Sequence, residues 1–162
     1  TQAMLDDLID NGGLIVTGCN YILTKITLKT EIPMDVTIWE GELVADDWAN
    51  QPYLLSDGGA ELTSNGAKAG SKVSIYITPI EEAWKLEIVE GHWGPTYTSI
   101  CSVGNDTESG KFTEYDLAAN GGCYTLELTQ EMYDNAIKTG GWGGVFVLNG
   151  DNVKVTKVTL LP

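Results

Sequence analysis

Two stretches of this chain carry nearly the same text. Thr1–Gly13 reads TQAMLDDLIDNGG and Thr129–Gly141 reads TQEMYDNAIKTGG, sharing Thr, Gln, Met, Asp, Ile and both glycines in register. Further on, Gly18–Leu28 (GCNYILTKITL) matches Gly150–Leu160 (GDNVKVTKVTL) in Gly, Asn, the Thr-Lys pair, Thr and Leu. The copies stand 128 residues apart at their start, position 129 against position 1, and 132 apart at their end, position 160 against position 28. The second copy therefore carries four extra residues, around Gly141–Gly144. A period this long excludes short solenoid repeats and reads as a tandem array of modules about 130 residues long. Residues 1–28 are then expected to be the tail of a preceding module, 29–34 a linker containing Pro33, and 35–162 one complete module. The alternative places the first segment on the fold as an extra edge element, packed through Leu14, Ile15, Val16, Ile22, Ile26 and Leu28.

Between the copies the hydrophobic period is two. Val36 and Ile38 alternate with Thr37, Val73, Ile75 and Ile77 with Ser74, Tyr76 and Thr78, and Leu86 and Ile88 with Lys85 and Glu87. Such alternation marks strands with one buried face. Turn-forming clusters punctuate them at Ser56–Gly59, Ser64–Gly66, Glu90–Pro95, Ser102–Gly110 and Ala118–Gly122, the spacing of a β-sandwich. One short helix is expected over Gln130–Lys138, with Thr129 as its N-cap, Glu131 in its first turn, and Met132, Ala136 and Ile137 facing inward. The last strands, Val145–Leu148 and Val153–Leu160, are joined by NGDN, whose Asn-Gly pair signals a hairpin.

Charge narrows the partners. A net charge of -14 with only nine Lys and Arg residues opposes nucleic acid and anionic membrane, because phosphate binding needs cationic side chains. A neutral polymer is not repelled. No apolar run approaches the ~20 residues of a membrane span. Of the three cysteines, only Cys101 and Cys123 lie within one stretch that could close a loop. The five Trp and seven Tyr against two Phe favour rings with a polar handle, as a wet binding surface requires.

The order TIWEGE, Asp47-Trp48, KVSIYIT, KLEIVEGHWG, YTLELTQEM, a glycine cluster and VTKVTL resembles carbohydrate-binding modules. More narrowly, it is similar to the β-sandwich modules of polysaccharide-degrading enzymes and surface glycan-binding proteins of gut and rumen bacteria. The resemblance implies an all-β, jelly-roll-like sandwich, a secreted or cell-surface location, attachment to a glycoside hydrolase or surface protein, and often a structural calcium. The function it implies is non-catalytic binding of a β-linked plant polysaccharide: β-1,4-glucan or mixed-linkage glucan, or xylan or xyloglucan. The rival reading is an immunoglobulin-like structural or adhesive spacer.

Flat indole and phenol rings stack on the apolar face of a pyranose while nearby amides and carboxylates grip its hydroxyls. The candidates are Trp93, beside His92 and near Tyr97, at a turn; Trp142, inside the GGWGG insertion; and Trp48, with Gln51 and Tyr53 following it. Trp39 falls opposite the core by alternation unless Gly41 marks a bulge, and Tyr76 points away from Val73, Ile75 and Ile77, where it is expected to join Lys85 and Glu87 on one face. Trp84 shares parity with Leu86 and Ile88 and reads as core. For calcium, which takes oxygen ligands, the candidate set is Asn149, Asp151 and Asn152, with Asn105, Asp106 and Glu108 as a second. No cofactor is expected beyond that ion. A glycosidase needs two carboxylates about 5–10 Å apart in one cleft. No spacing among Glu40, Glu42, Asp46, Asp47, Glu87 and Glu90 singles out a pair, and a lone histidine supports no multi-histidine metal site.

Overall fold

The computed structural model describes residues 34–46, 50–92, 98–107 and 109–162. Among them run nine strands and two short helices. In chain order these are β1 (Val36–Ala45), β2 (Tyr53–Leu54), α1 (Ala60–Thr63), β3 (Lys72–Pro79), β4 (Lys85–Glu90), β5 (Ser99–Gly104), β6 (Thr113–Glu114), β7 (Cys123–Glu127), α2 (Gln130–Ala136), β8 (Phe146–Asp151) and β9 (Val153–Leu161). A four-stranded sheet has the order β1-β9-β3-β7 and a five-stranded sheet the order β2-β8-β4-β5-β6. All pairings are antiparallel except β5 with β6. The chain changes sheet at each step from β1 to β4 and again from β7 to β9. That connectivity makes an all-β jelly-roll sandwich. It is not the immunoglobulin arrangement, in which consecutive strands A and B share a sheet.

The inward residues of the two sheets meet in one core. Val73, Ile75 and Ile77 of β3 and Val155, Val158 and Leu160 of β9 face Leu54, Leu86, Ile88, Val103, Phe146 and Leu148 of the other sheet, all buried. Trp84 is buried with them, its backbone N–H donating to Asn105 Oδ1 at 2.8 Å. The alternation read from the sequence thus holds for β3 and β4. A register shift beside Tyr76 and Ile77 restores it in β9, where inward residues step from Val155 to Val158.

Four details differ from the sequence reading. The helix begins as expected, with Thr129 Oγ1 accepting the Met132 N–H at 3.1 Å, but it ends at Ala136, so Ile137 leaves the buried face and is exposed. The NGDN segment forms no hairpin: Asn149 and Gly150 stay in β8, opposite Glu87 and Leu86, and β9 belongs to the other sheet. The reversal falls to Asn152 at φ 55°, a left-handed conformation that Asn tolerates better than most residues. Finally, Ser102–Gly104 complete β5 instead of opening a turn, and α1 adds a single unexpected turn of helix.

The second copy of the repeat, residues 129–160, spans α2, β8 and β9. Each of these two strands is central to its sheet, β8 between β2 and β4 and β9 between β1 and β3.

Candidate functional site

The outward face of the five-stranded sheet carries the residues of opposite parity to the core. One row across it is Tyr53, Val147, Val89 and Ser99; the next is Asn149, Glu87 and Ser102. Val147 and Val89 are fully buried, whereas Tyr53 at the sheet's edge is 43% exposed. Beside Tyr53 runs the loop that joins α2 to β8, and on it Trp142 is 40% exposed. Among the described residues these are the large aromatic side chains that stand open to solvent.

Glycine chemistry explains how the loop presents its ring. Gly140, Gly141 and Gly143 have φ of 94°, 90° and 100°, the region that side-chain-bearing residues avoid. The backbone of Gly144 lies so close to the β4–β5 turn that a Cβ on Gly91 would stand 1.8 Å from the Gly144 carbonyl oxygen. Two backbone bonds close this junction: the Gly91 N–H donates to the Val145 carbonyl at 2.8 Å, and the Trp142 N–H donates to the Gly91 carbonyl at 3.2 Å. On the other side, a Cβ on Gly143 would meet the Tyr53 ring at 3.7 Å. Tyr53 therefore lies beside the loop that carries Trp142, although the two are far apart in sequence.

Besides the Gly91 junction, the loop has a second anchor. Asp57, in the turn after β2, accepts the Gly140 N–H through Oδ2 at 3.0 Å, and its Oδ1 lies 4.0 Å from His92 Nε2. The His92 ring is largely covered and lies against Gly141.

Further along the sheet, Glu87 is 1% exposed, and Lys111 Nζ donates to its Oε2 at 2.8 Å. Asn149 Nδ2 also approaches that oxygen, at 3.4 Å. A carboxylate taken out of water is tolerated when a cation and hydrogen bonds accompany it, and Lys111 with Asn149 fulfil that condition. At the far end of the same sheet, Lys85 Nζ is held by Asp106 at 2.9 Å and Asp151 at 3.7 Å. The hydrogen bond to Asp106 holds the ammonium above the ordinary lysine range. A surface depression there is lined by Ala83, Asn105, Asp106 and Thr107.

The sequence candidates scatter over this framework. Trp93, Tyr97, Trp48 and Glu108 lie outside the described residues. Trp142 and His92 meet at the glycine junction, and Gln51 precedes β2 in a partly buried position. Glu87 and Lys85 share the outward face of β4, but Tyr76 does not join them. Tyr76 points outward, as its parity predicts, yet from β3 in the opposite sheet, where Lys157 Nζ lies 3.9 Å from its ring centre. Periodicity fixes which way a side chain points but not which sheet its strand enters. Trp39 follows a register shift in β1 and packs over Gly41 against the core edge.

The side chains of the calcium set Asn149, Asp151 and Asn152 have protein neighbours. Asn149 faces Glu87, Asp151 faces Lys85, and Asn152 Nδ2 donates to the Ala83 carbonyl at 3.1 Å. In the second set, Asn105 is spent on Trp84 and Glu82, and Asp106 on Lys85. Among the carboxylates, Glu87 faces outward while Glu90, of opposite parity, meets Asn135 of α2 at 3.1 Å, so the two do not share a cleft. Burial raises the Glu90 carboxyl above the ordinary range, against the opposing hydrogen bond from Asn135. Cys101 and Cys123 are free thiols, and burial pushes Cys101 up to about 12.

The sequence places Tyr53 only as a polar neighbour of Trp48 and gives no sign of Asp57 or Lys111. Tyr53 had a usable signal, since Leu54 next to it is plainly a core residue. The other two had none, because their partners lie 83 and 24 residues away.

No protein-family model and no curated protein sequence matches this chain. Solved structures do. The SGBP-B protein of the Bacteroides ovatus mixed-linkage glucan utilization locus, solved in complex with a mixed-linkage heptasaccharide, superimposes with a TM-score of 0.50 at 23% identity. The fold is shared. The match covers 78% of this chain but only 28% of that one.

Proposed function

We propose that this chain is a non-catalytic glycan-binding module of a secreted or cell-surface bacterial protein, which holds a neutral β-linked glucan on the Tyr53–Trp142 platform. The observation that carries the reading is that two aromatic residues, 43% and 40% accessible, stand on neighbouring segments, Tyr53 on β2 with its ring beside Gly143 and Trp142 on the glycine loop next to it. Solvent-facing Trp and Tyr rings offer the flat apolar face with a polar handle that stacks on a pyranose. The net charge of -14 is compatible with an uncharged polymer. Mixed-linkage glucan is the first ligand to test, because the fold is shared with a protein solved with such an oligosaccharide; β-1,4-glucan, xylan and xyloglucan follow.

Catalysis is not part of the proposal, since Glu87 and Glu90 leave β4 on opposite faces and Glu87 is engaged by Lys111. The internal repeat supports a tandem arrangement in which residues 1–28 end a similar module and an attached glycoside hydrolase or surface protein gains avidity for the polymer. Affinity electrophoresis in gels cast with mixed-linkage glucan, hydroxyethylcellulose, xylan, xyloglucan and mannan tests the reading. Retardation on a β-glucan is the expected result. Migration unchanged in every gel would leave the spacer reading, and release of reducing sugar would make the chain an enzyme.

A further inference from the structure

We propose that Asp57 is a positioning residue that fixes the Trp142 loop in its binding conformation without itself touching the ligand; this rests on the glycan-binding reading above. The loop between α2 and β8 contains Gly140, Gly141, Gly143 and Gly144, and such a run has more backbone freedom to lose than any other composition. Binding to a mobile ring incurs an ordering cost that pre-organisation removes. Two anchors hold the loop. One is the backbone junction at Gly91, which fixes the segment after the ring and the Trp142 N–H itself. The other lies before the ring, where the Asp57 carboxylate accepts the Gly140 N–H at 3.0 Å.

Asp57 is itself well placed to act as a fixed point. It occupies the turn between β2 and α1, where the Gly59 N–H donates to the Ser56 carbonyl and Ser56 is in turn bonded to Glu61 of α1. A Cβ on the neighbouring Gly58 would lie 3.2 Å from Thr139 Cγ2, so the turn and the loop are also close beside this hydrogen bond. The second carboxylate oxygen faces His92, whose ring lies against Gly141. Asp57 thus ties the turn after β2, the strand that carries Tyr53, to the loop that carries Trp142, and sets the two rings relative to each other.

The test is a double-mutant cycle read by titration calorimetry with a mixed-linkage glucan oligosaccharide on the full chain. Asp57→Ala is expected to weaken binding about five-fold, the effect of one hydrogen bond of ordinary strength, and to make the binding entropy less favourable. Asp57→Asn keeps an oxygen that can accept the Gly140 N–H and is expected to restore most of the affinity. In a Trp142→Ala background, Asp57→Ala should add nothing. If Trp142→Ala weakens binding while Asp57→Ala leaves it unchanged, the positioning role is overturned and the platform stands. An equal further loss in the Trp142→Ala background would also overturn it, because Asp57 would then contact the ligand directly. If Trp142→Ala itself has no effect, the platform reading is what fails.

Discussion

Gly91→Ala is the sharpest structural perturbation available. The added methyl would sit 1.8 Å from the Gly144 carbonyl oxygen, 2.8 Å from its carbon and 3.1 Å from the Val145 carbonyl carbon. All three are backbone atoms, so no rotamer change relieves the clash and the two chain segments must separate. Separation breaks the Gly91–Val145 and Trp142–Gly91 hydrogen bonds, worth about 1 kcal/mol each net. Overpacking against an unyielding wall adds roughly 2 kcal/mol. The expected cost is about 4 kcal/mol, a large share of the roughly 5–15 kcal/mol by which a domain is stable. In urea, with a slope of about 2 kcal/mol/M, the midpoint should fall by about 2 M. Gly66→Ala is the control: its Cβ meets nothing within 4 Å, so it suffers only the strain of its φ of 77°, roughly 1 kcal/mol. Equal midpoints for the two variants would refute the claim that close backbone approach at Gly91 holds this loop.

Two further outcomes follow from the buried carboxylates. Lys111→Ala removes the cation 2.8 Å from Glu87, which is 1% exposed; breaking a buried pair costs about 3–5 kcal/mol, reduced to about 2 kcal/mol here because Lys111 is half exposed, as thermal denaturation at neutral pH should show. Glu90→Gln should raise the neutral-pH denaturation midpoint. Burial raises the Glu90 carboxyl, so the stability linked to its proton is complete below the unfolded-state value and is lost as pH rises through the folded-state one. The amide removes that loss and keeps an oxygen for Asn135, and its advantage should vanish below about pH 4, the ordinary glutamate range.

Much of the sandwich was legible because its strands bury one face. Period two in Val73–Thr78 and Lys85–Ile88 located β3 and β4, and Thr129 announced α2 three residues before the N–H it caps. What the pattern could not carry was partner choice. Tyr76 and Glu87 both point outward, yet they stand on opposite sides of the molecule because β3 and β4 enter different sheets. The register shift in β1 that tucks Trp39 over Gly41 depends on the pairing with β9, 119 positions away between Trp39 and Val158. Asn-Gly suggested a hairpin at Asn149-Gly150 until the ladder to β4 claimed both residues and moved the reversal to Asn152. At the candidate site, Trp142 was legible from its glycines and from the insertion that only the second copy of the repeat contains. Its neighbour Asp57 was not, and the outward face of Tyr53 was legible from Leu54 while its place beside the Trp142 loop was not, since only the closed sandwich brings residues 53, 57 and 142 together.

The central claim, that Tyr53 and Trp142 form a platform for a neutral β-glucan, is tested most directly by titrating a mixed-linkage glucan oligosaccharide into the wild-type chain, Trp142→Ala, Tyr53→Ala and Tyr76→Ala. The 40% of Trp142 left exposed is about 100 Å² of a side chain of roughly 250 Å². Covering it gains at most about 2.5 kcal/mol, of which incomplete contact and ordering leave roughly half. Trp142→Ala and Tyr53→Ala should each weaken binding about ten-fold. Tyr76→Ala, on the opposite sheet, should bind as wild type does. Wild-type affinity in both platform variants, or a loss confined to Tyr76→Ala, would contradict the claim.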